Sequence, residues 1–194
     1  MSIICYYIRT DHAALEVLTL NPEAIFGDLA DLPQASEVID VDKAYDALSW
    51  LVSPLKRAEA AHMARLIGDP DWPDEAVQDS VARLNSMDVD DALVAIEGQN
   101  KERLDDIDLG LGGAVIFWPD RVRELALALS KLDEDPIRRD VDFALMDEHD
   151  VQPAGWLQEG EEILESYVLP TLRRLKAFYA AASELNQLVL LVKG

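Results

Sequence analysis

The sequence predicts an α+β fold: a small mixed sheet containing the N- and C-terminal strands, covered by several helices. Three observations carry that expectation. Ile3, Ile4, Tyr6, Tyr7 and Ile8 form a β-branched and aromatic run near the start, and Leu188 to Val192 forms another at the end. Between them the apolar residues recur mostly at helical spacing. Both terminal runs are too continuously apolar to alternate, so each reads as a strand covered on two faces, and they should pair near the middle of one sheet. No repeat or low-complexity linker interrupts the 194 residues, which predicts a single domain over 1–194.

The elements follow in order. Ser2 to Arg9 is the first strand. Thr10 or Asp11 caps a helix through Ala14, Leu15, Val17 and Leu18, which Asn21-Pro22 ends. Val38 to Asp42 is a short apolar run. A helix then places Ala44, Tyr45, Leu48, Leu51 and Val52 on one face, with Asp42 as its cap and Pro54 as its end. Leu55 to Ile67 and Ala76 to Leu84 read as further helices, separated by the turn Gly68-Asp69-Pro70-Asp71-Trp72-Pro73. Asp88 to Asp108 holds acids around a weak apolar pattern. Ala114 to Trp118 is a strand, and Pro119-Asp120 opens a helix with Asp120 at the cap. Asp133 to Pro136 ends it. A helix is compatible with 137–150, and Pro153, Gly155 and Gly160 mark a broken segment around Trp156. The longest helix spans Glu161 to about Glu184, with Pro170 inside it predicting a kink.

Charge bounds the function more tightly than any motif. Thirty-eight acidic residues face 17 basic ones, a formal charge of -21. Phosphate contacts need Lys and Arg, so direct nucleic-acid binding is not expected, nor is adsorption on an anionic membrane. The acids are spread along a chain that is 49% hydrophobic, which predicts a folded body with an acidic surface rather than a disordered tail. Cys5 is the single cysteine, so no internal disulfide can form. The opening residues lack a signal-peptide pattern, and no long uncharged apolar run occurs, so the expectation is a soluble cytoplasmic protein.

Candidate sites are few. Asp42 and Asp46 lie one helical turn apart with Asp40 just before, a grouping that could bind a hard cation such as magnesium or supply acid–base chemistry. Capping and solvation explain the same residues without chemistry. The acids between Asp88 and Asp108 invite the same two readings. Gly110, Gly112 and Gly113 precede a strand instead of opening a helix, so they suit a tight bend or close backbone approach rather than a dinucleotide loop. His12, His62 and His149 match no zinc spacing. Trp72 and Trp156, each in a turn-rich stretch, are the candidate contact residues, with packing as the alternative. No catalytic set and no cofactor is nominated.

Several segments together resemble the YfbM-like, DUF1877 family of small bacterial cytoplasmic proteins. They are Ile4-Cys5-Tyr6-Tyr7; Ile39-Asp40-Val41-Asp42-Lys43-Ala44-Tyr45-Asp46-Ala47-Leu48; Leu109-Gly110-Leu111-Gly112-Gly113-Ala114 followed by Trp118-Pro119-Asp120-Arg121-Val122; and Leu175-Lys176-Ala177-Phe178-Tyr179-Ala180-Ala181-Ala182 with the closing strand. The second is similar to the family's Asp-Lys-Ala-Trp-x-x-Leu-His segment, with Tyr45 at the tryptophan position and Ser49 in place of the histidine. Residues 54–108 fit least well, which implies an insertion or local divergence. The resemblance implies one α+β domain and brings no catalytic residue set. Some relatives look like members of toxin–immunity gene neighbourhoods, which suggests an inhibitor role.

The expected function is a non-enzymatic protein-interaction module, an immunity-type inhibitor of a basic protein partner. The alternative is a carboxylate-dependent, magnesium-assisted hydrolase. Neither reading fixes an oligomeric state.

Overall fold

The computed structural model describes residues 4–22, 37–58, 90–98, 102–108 and 112–194. The expected turn at 68–73, the expected helix at 76–84 and most of the expected insertion therefore lie outside the described residues, while the helix expected over 55–67 is described, and helical, only as far as residue 58.

Five strands form one sheet: β1 (Cys5–Thr10), β2 (Glu37–Asp40), β3 (Arg103–Asp108), β4 (Gly113–Phe117) and β5 (Leu188–Lys193), in the order β2-β1-β5-β4-β3. The two terminal strands are neighbours, with Cys5 opposite Lys193 and Thr10 opposite Leu188. All four pairings run antiparallel. Side chains alternate across a pleated strand, and β5 shows why its sequence does not. Val189 and Leu191 enter a large core with Cys5, Tyr7, Val115 and Phe117. Leu188, Leu190 and Val192 enter a smaller core with Ile8, Ala114 and Ile116 on the opposite face. Both faces are covered, so both registers are apolar.

The smaller core is closed by α1 (His12–Leu20), which Asp11 caps by accepting the Ala14 N–H at 2.9 Å. The larger core takes α2 (Ala44–Val52), α3 (Asp91–Glu97), α4 (Pro119–Ser130), α5 (Glu134–Asp140), α6 (Phe143–Glu148), α7 (Trp156–Ile163) and α8 (Leu169–Glu184). Among these, α3 is buried along Ala92 to Glu97, and two buried tyrosines satisfy carbonyls near its end. Tyr7 donates to the Ile96 carbonyl at 2.5 Å, and Tyr179 donates to that of Ala95 at 3.0 Å. A buried carbonyl left without a donor would be destabilising, so these phenols belong to the fold.

Several local expectations change. Asp88 to Asp108 contains a buried helix and an edge strand rather than a wholly solvated face, since Leu93 and Ile96 pack inside α3 and Ile107 inside β3. Pro119 is the first residue of α4 and Trp118 its cap, which places Asp120 within the first turn. Asp133 does not end a helix but begins α5 by accepting the Asp135 N–H at 3.2 Å. Gly113 fulfils the close-approach expectation: a Cβ there would lie 2.6 Å from the Leu104 carbonyl oxygen.

The expected kink at Pro170 is a single π turn over Leu164–Val168 between α7 and α8. Pro170 has no N–H to return to Ser166, so the helix cannot keep its ordinary bonding there. The Leu169 N–H instead reaches the Leu164 carbonyl, five residues back. No described helix is long and apolar enough to cross a membrane.

Candidate functional site

The π turn sets the position of Tyr167 against the segment joining β2 to α2. Asp42 there has φ +43°, an uncommon left-handed conformation for a residue with a side chain. Asp40 supports it by accepting the Asp42 N–H at 2.6 Å. The Tyr167 hydroxyl donates to Asp42 Oδ2 at 2.9 Å and accepts the Lys43 N–H at 3.2 Å. Burial, then the bond to Asp42, pushes its phenol up to about 12, so it stays a neutral donor near pH 7. Thr171 donates to the Tyr167 carbonyl at 2.7 Å, and Arg174 closes the rim by donating to the Asp40 carbonyl at 3.1 Å.

These residues surround an open recess of about 290 Å³, with Val41 and Pro170 as its apolar part. Asp40 and Asp42 both line it. Asp46 does not: its Oδ2 accepts the Gln152 N–H at 2.8 Å elsewhere, and burial raises its carboxyl despite that bond. Among the described residues, no group of three or more His, Cys, Asp or Glu side chains is arranged to hold a metal ion. The helical spacing of Asp42 and Asp46 fails for a specific reason. Asp42 precedes α2 in a left-handed conformation, so it neither caps α2 nor shares its face; Lys43 occupies the cap position without a side-chain bond.

The two tryptophan candidates part company. Trp72 lies outside the described residues. Trp156 is 1% exposed, which corrects the expectation of an exposed contact residue. Its Nε1–H donates to the Val151 carbonyl at 2.6 Å, and its ring stacks on Phe143 at 6.0 Å. It begins α7 rather than sitting in a loop: Gly155 caps that helix at φ +105°, and Gly160 serves packing, since a Cβ there would lie 2.6 Å from Phe143 Cγ.

The adjacent residue is the exposed one. Leu157 is 60% exposed, on a helix whose Glu159, Glu161 and Glu162 also face solvent. Most of the described cations are engaged elsewhere within the chain, which leaves that acidity uncompensated. Arg9 pairs with Glu37, Lys56 with Glu97, and Arg121 with Asp91 and Glu124. Arg123 meets Asp120, Arg139 meets Asp140, and Arg138 and Arg173 converge on Glu134. Arg57, Arg103, Arg174 and Lys176 donate to backbone carbonyls. Ion pairs and carbonyl bonds thus engage most of the described cations and leave surplus anions facing water. Sequence reading found the charge but not Leu157 or Tyr167; the phase of α7 and the π turn select both.

The fold and surface together define an acidic α+β protein built on an antiparallel sheet with buried terminal strands. The chain belongs to the family described as domain of unknown function (DUF1877), whose model matches residues 1–192. A solved structure with the same fold is that of a protein of unknown function, YfbM from Escherichia coli. It is 17% identical, with a TM-score of 0.59 over 97% of this chain and 98% of that one. Comparison with curated proteins finds no match.

Proposed function

We propose that this chain is a cytoplasmic protein-interaction module that takes a basic protein partner, acting as an immunity-type inhibitor. The observation that carries the reading is the internal engagement of most of the described cations, which leaves much of the surplus of a -21 chain on the surface. Such a field accelerates encounter with a basic partner and disfavours acidic competitors. Proteins that act on nucleic acid are basic because their substrate is a polyanion, which makes them the matching class. Leu157 supplies an apolar anchor within an acidic rim, the arrangement of a compact interface.

The test is gentle pull-down from the native cytoplasm with mass spectrometry, repeated with the Glu161→Lys, Glu162→Lys double variant. The expected result is a basic protein retained at low salt, lost at high salt and lost with the variant. Retention of the same protein by the variant, indifferent to salt, would overturn the reading.

A carboxylate-dependent, magnesium-assisted hydrolase is the second reading, favoured by Asp40 and Asp42 lining one recess beside the Tyr167 hydroxyl. It requires magnesium binding and phosphoester or amide hydrolysis that Asp42→Asn abolishes in a correctly folded protein.

A further inference from the structure

A second recess, at the C-terminal end of α2, has an inventory that the charge argument does not absorb. It encloses about 430 Å³, within the range of small-molecule sites. Trp50, Leu132, Ile137, Val141 and Leu145 supply apolar walls. Two cations and three carboxylates stand around them.

The carboxylates are directed to partners of their own. Asp133 accepts the Asp135 N–H at 3.2 Å, and Asp142 accepts the Leu145 N–H at 3.0 Å. Asp140 is held on both oxygens by Arg139, at 2.8 and 3.0 Å. The cations differ from others in the chain. Arg57 uses only Nη1, on the Trp50 and Leu51 carbonyls at 2.6 and 3.1 Å, leaving Nε and Nη2 without a hydrogen-bond partner among the described residues. The Lys131 ammonium has neither an ion pair nor a hydrogen bond among them. Unused positive donors are scarce among the described residues, and here two side chains that carry them stand beside apolar walls.

We propose that this recess binds a small organic anion, an apolar body carrying one carboxylate or sulfonate group, with the body against Trp50 and Val141 and the anion at Arg57 and Lys131. The overall charge opposes any anion, so the attraction is local and the apolar walls supply much of the affinity.

Two probes with the same ring system separate those contributions: 8-anilinonaphthalene-1-sulfonate and the uncharged N-phenyl-1-naphthylamine. Fluorescence titration of the full chain should show one sulfonate probe bound per chain. Lys131→Glu reverses an exposed charge and should weaken that probe about fivefold or more, while leaving the neutral one within about twofold. Val141→Trp fills the recess and should weaken both about tenfold. Equal response of both probes to Lys131→Glu, or an unchanged sulfonate affinity in that variant, overturns the proposal. Circular dichroism and unfolding midpoints establish that each variant is folded. Lys131→Glu alone still decides the matter if Val141→Trp does not fold.

Discussion

Tyr167 and Asp42 are 125 residues apart in sequence and joined by a 2.9 Å hydrogen bond, the phenol donating to the carboxylate. The phenol oxygen also accepts the Lys43 N–H, so one hydroxyl ties the π turn to the start of α2. The contact fixes a left-handed aspartate that its own backbone does not favour.

Tyr167→Phe removes both bonds while keeping the ring. Stability should fall by about 1–2 kcal/mol, because a charged acceptor loses its donor at a half-buried position. Raising the pH should mimic the loss. The folded phenol titrates near 12 against an ordinary value of 10.0, so its contribution is complete below pH 10 and is lost as pH rises toward 12. Urea unfolding of both proteins at pH 7 and pH 11 checks the pair. Equal stability at pH 7 would show that the clamp is idle.

Acid should act on a different cluster. Glu134 accepts from Arg173 at 2.5 and 2.7 Å and from Arg138 at 2.8 Å, which holds its carboxyl down at about 2. Arg138 also bonds Glu165 and lowers that group. Depressed carboxyls stabilise the fold above their ordinary value, here 4.5, and the benefit disappears as pH falls toward 2. The network faces solvent, so the effect is modest and salt weakens it. Glu134→Gln should flatten the decline in unfolding free energy between pH 4.5 and pH 2.5. An unaltered slope in that variant would remove the network from the account.

How much was legible in the sequence follows from this geometry. The terminal strands and α1 were readable because apolar runs and the Asp11 cap are local signals. The edge strand β3 was not, because it does not alternate: its pairing with β4 shifts register between Leu104 and Asp108, so Leu104 and Ile107 meet the same core around the exposed Asp105 and Asp106. Asp40 and Asp42 stand out in the sequence, but their geometry does not: a helical wheel cannot anticipate a left-handed residue held by a tyrosine 125 residues away. Trp156 looked exposed because Pro153, Gly155 and Gly160 suggest a loop. Gly160 is there to admit an aromatic ring, which only the fold reveals.

Cys5 should be chemically silent in the folded protein. It is fully buried between β2 and β5, and burial raises its thiol to about 12 from 9.0. That shift reduces the reactive thiolate about a thousandfold, before access is considered. A disulfide reagent such as dithionitrobenzoate should modify one thiol promptly in urea and essentially none in native protein at pH 8. Prompt native reaction would mean that the β1 end opens readily.

The contact between Phe143 and Gly160 gives the most specific structural test. Trp156→Ala should destabilise by about 3–5 kcal/mol, as removal of a buried indole does. Gly160→Ala adds a single methyl yet should still lose about 1–3 kcal/mol, because its Cβ meets the Phe143 ring within the contact limit. Phe143→Ala is destabilising alone, since it unstacks Trp156. In combination with Gly160→Ala, however, the clash has no partner, so the double variant should be less destabilised than the sum of the two singles. Unfolding measurements on the four-protein cycle read that difference directly. Strict additivity would place the cost of Gly160→Ala in the backbone of α7, where Glu159 already departs from helical geometry, and not in the ring contact.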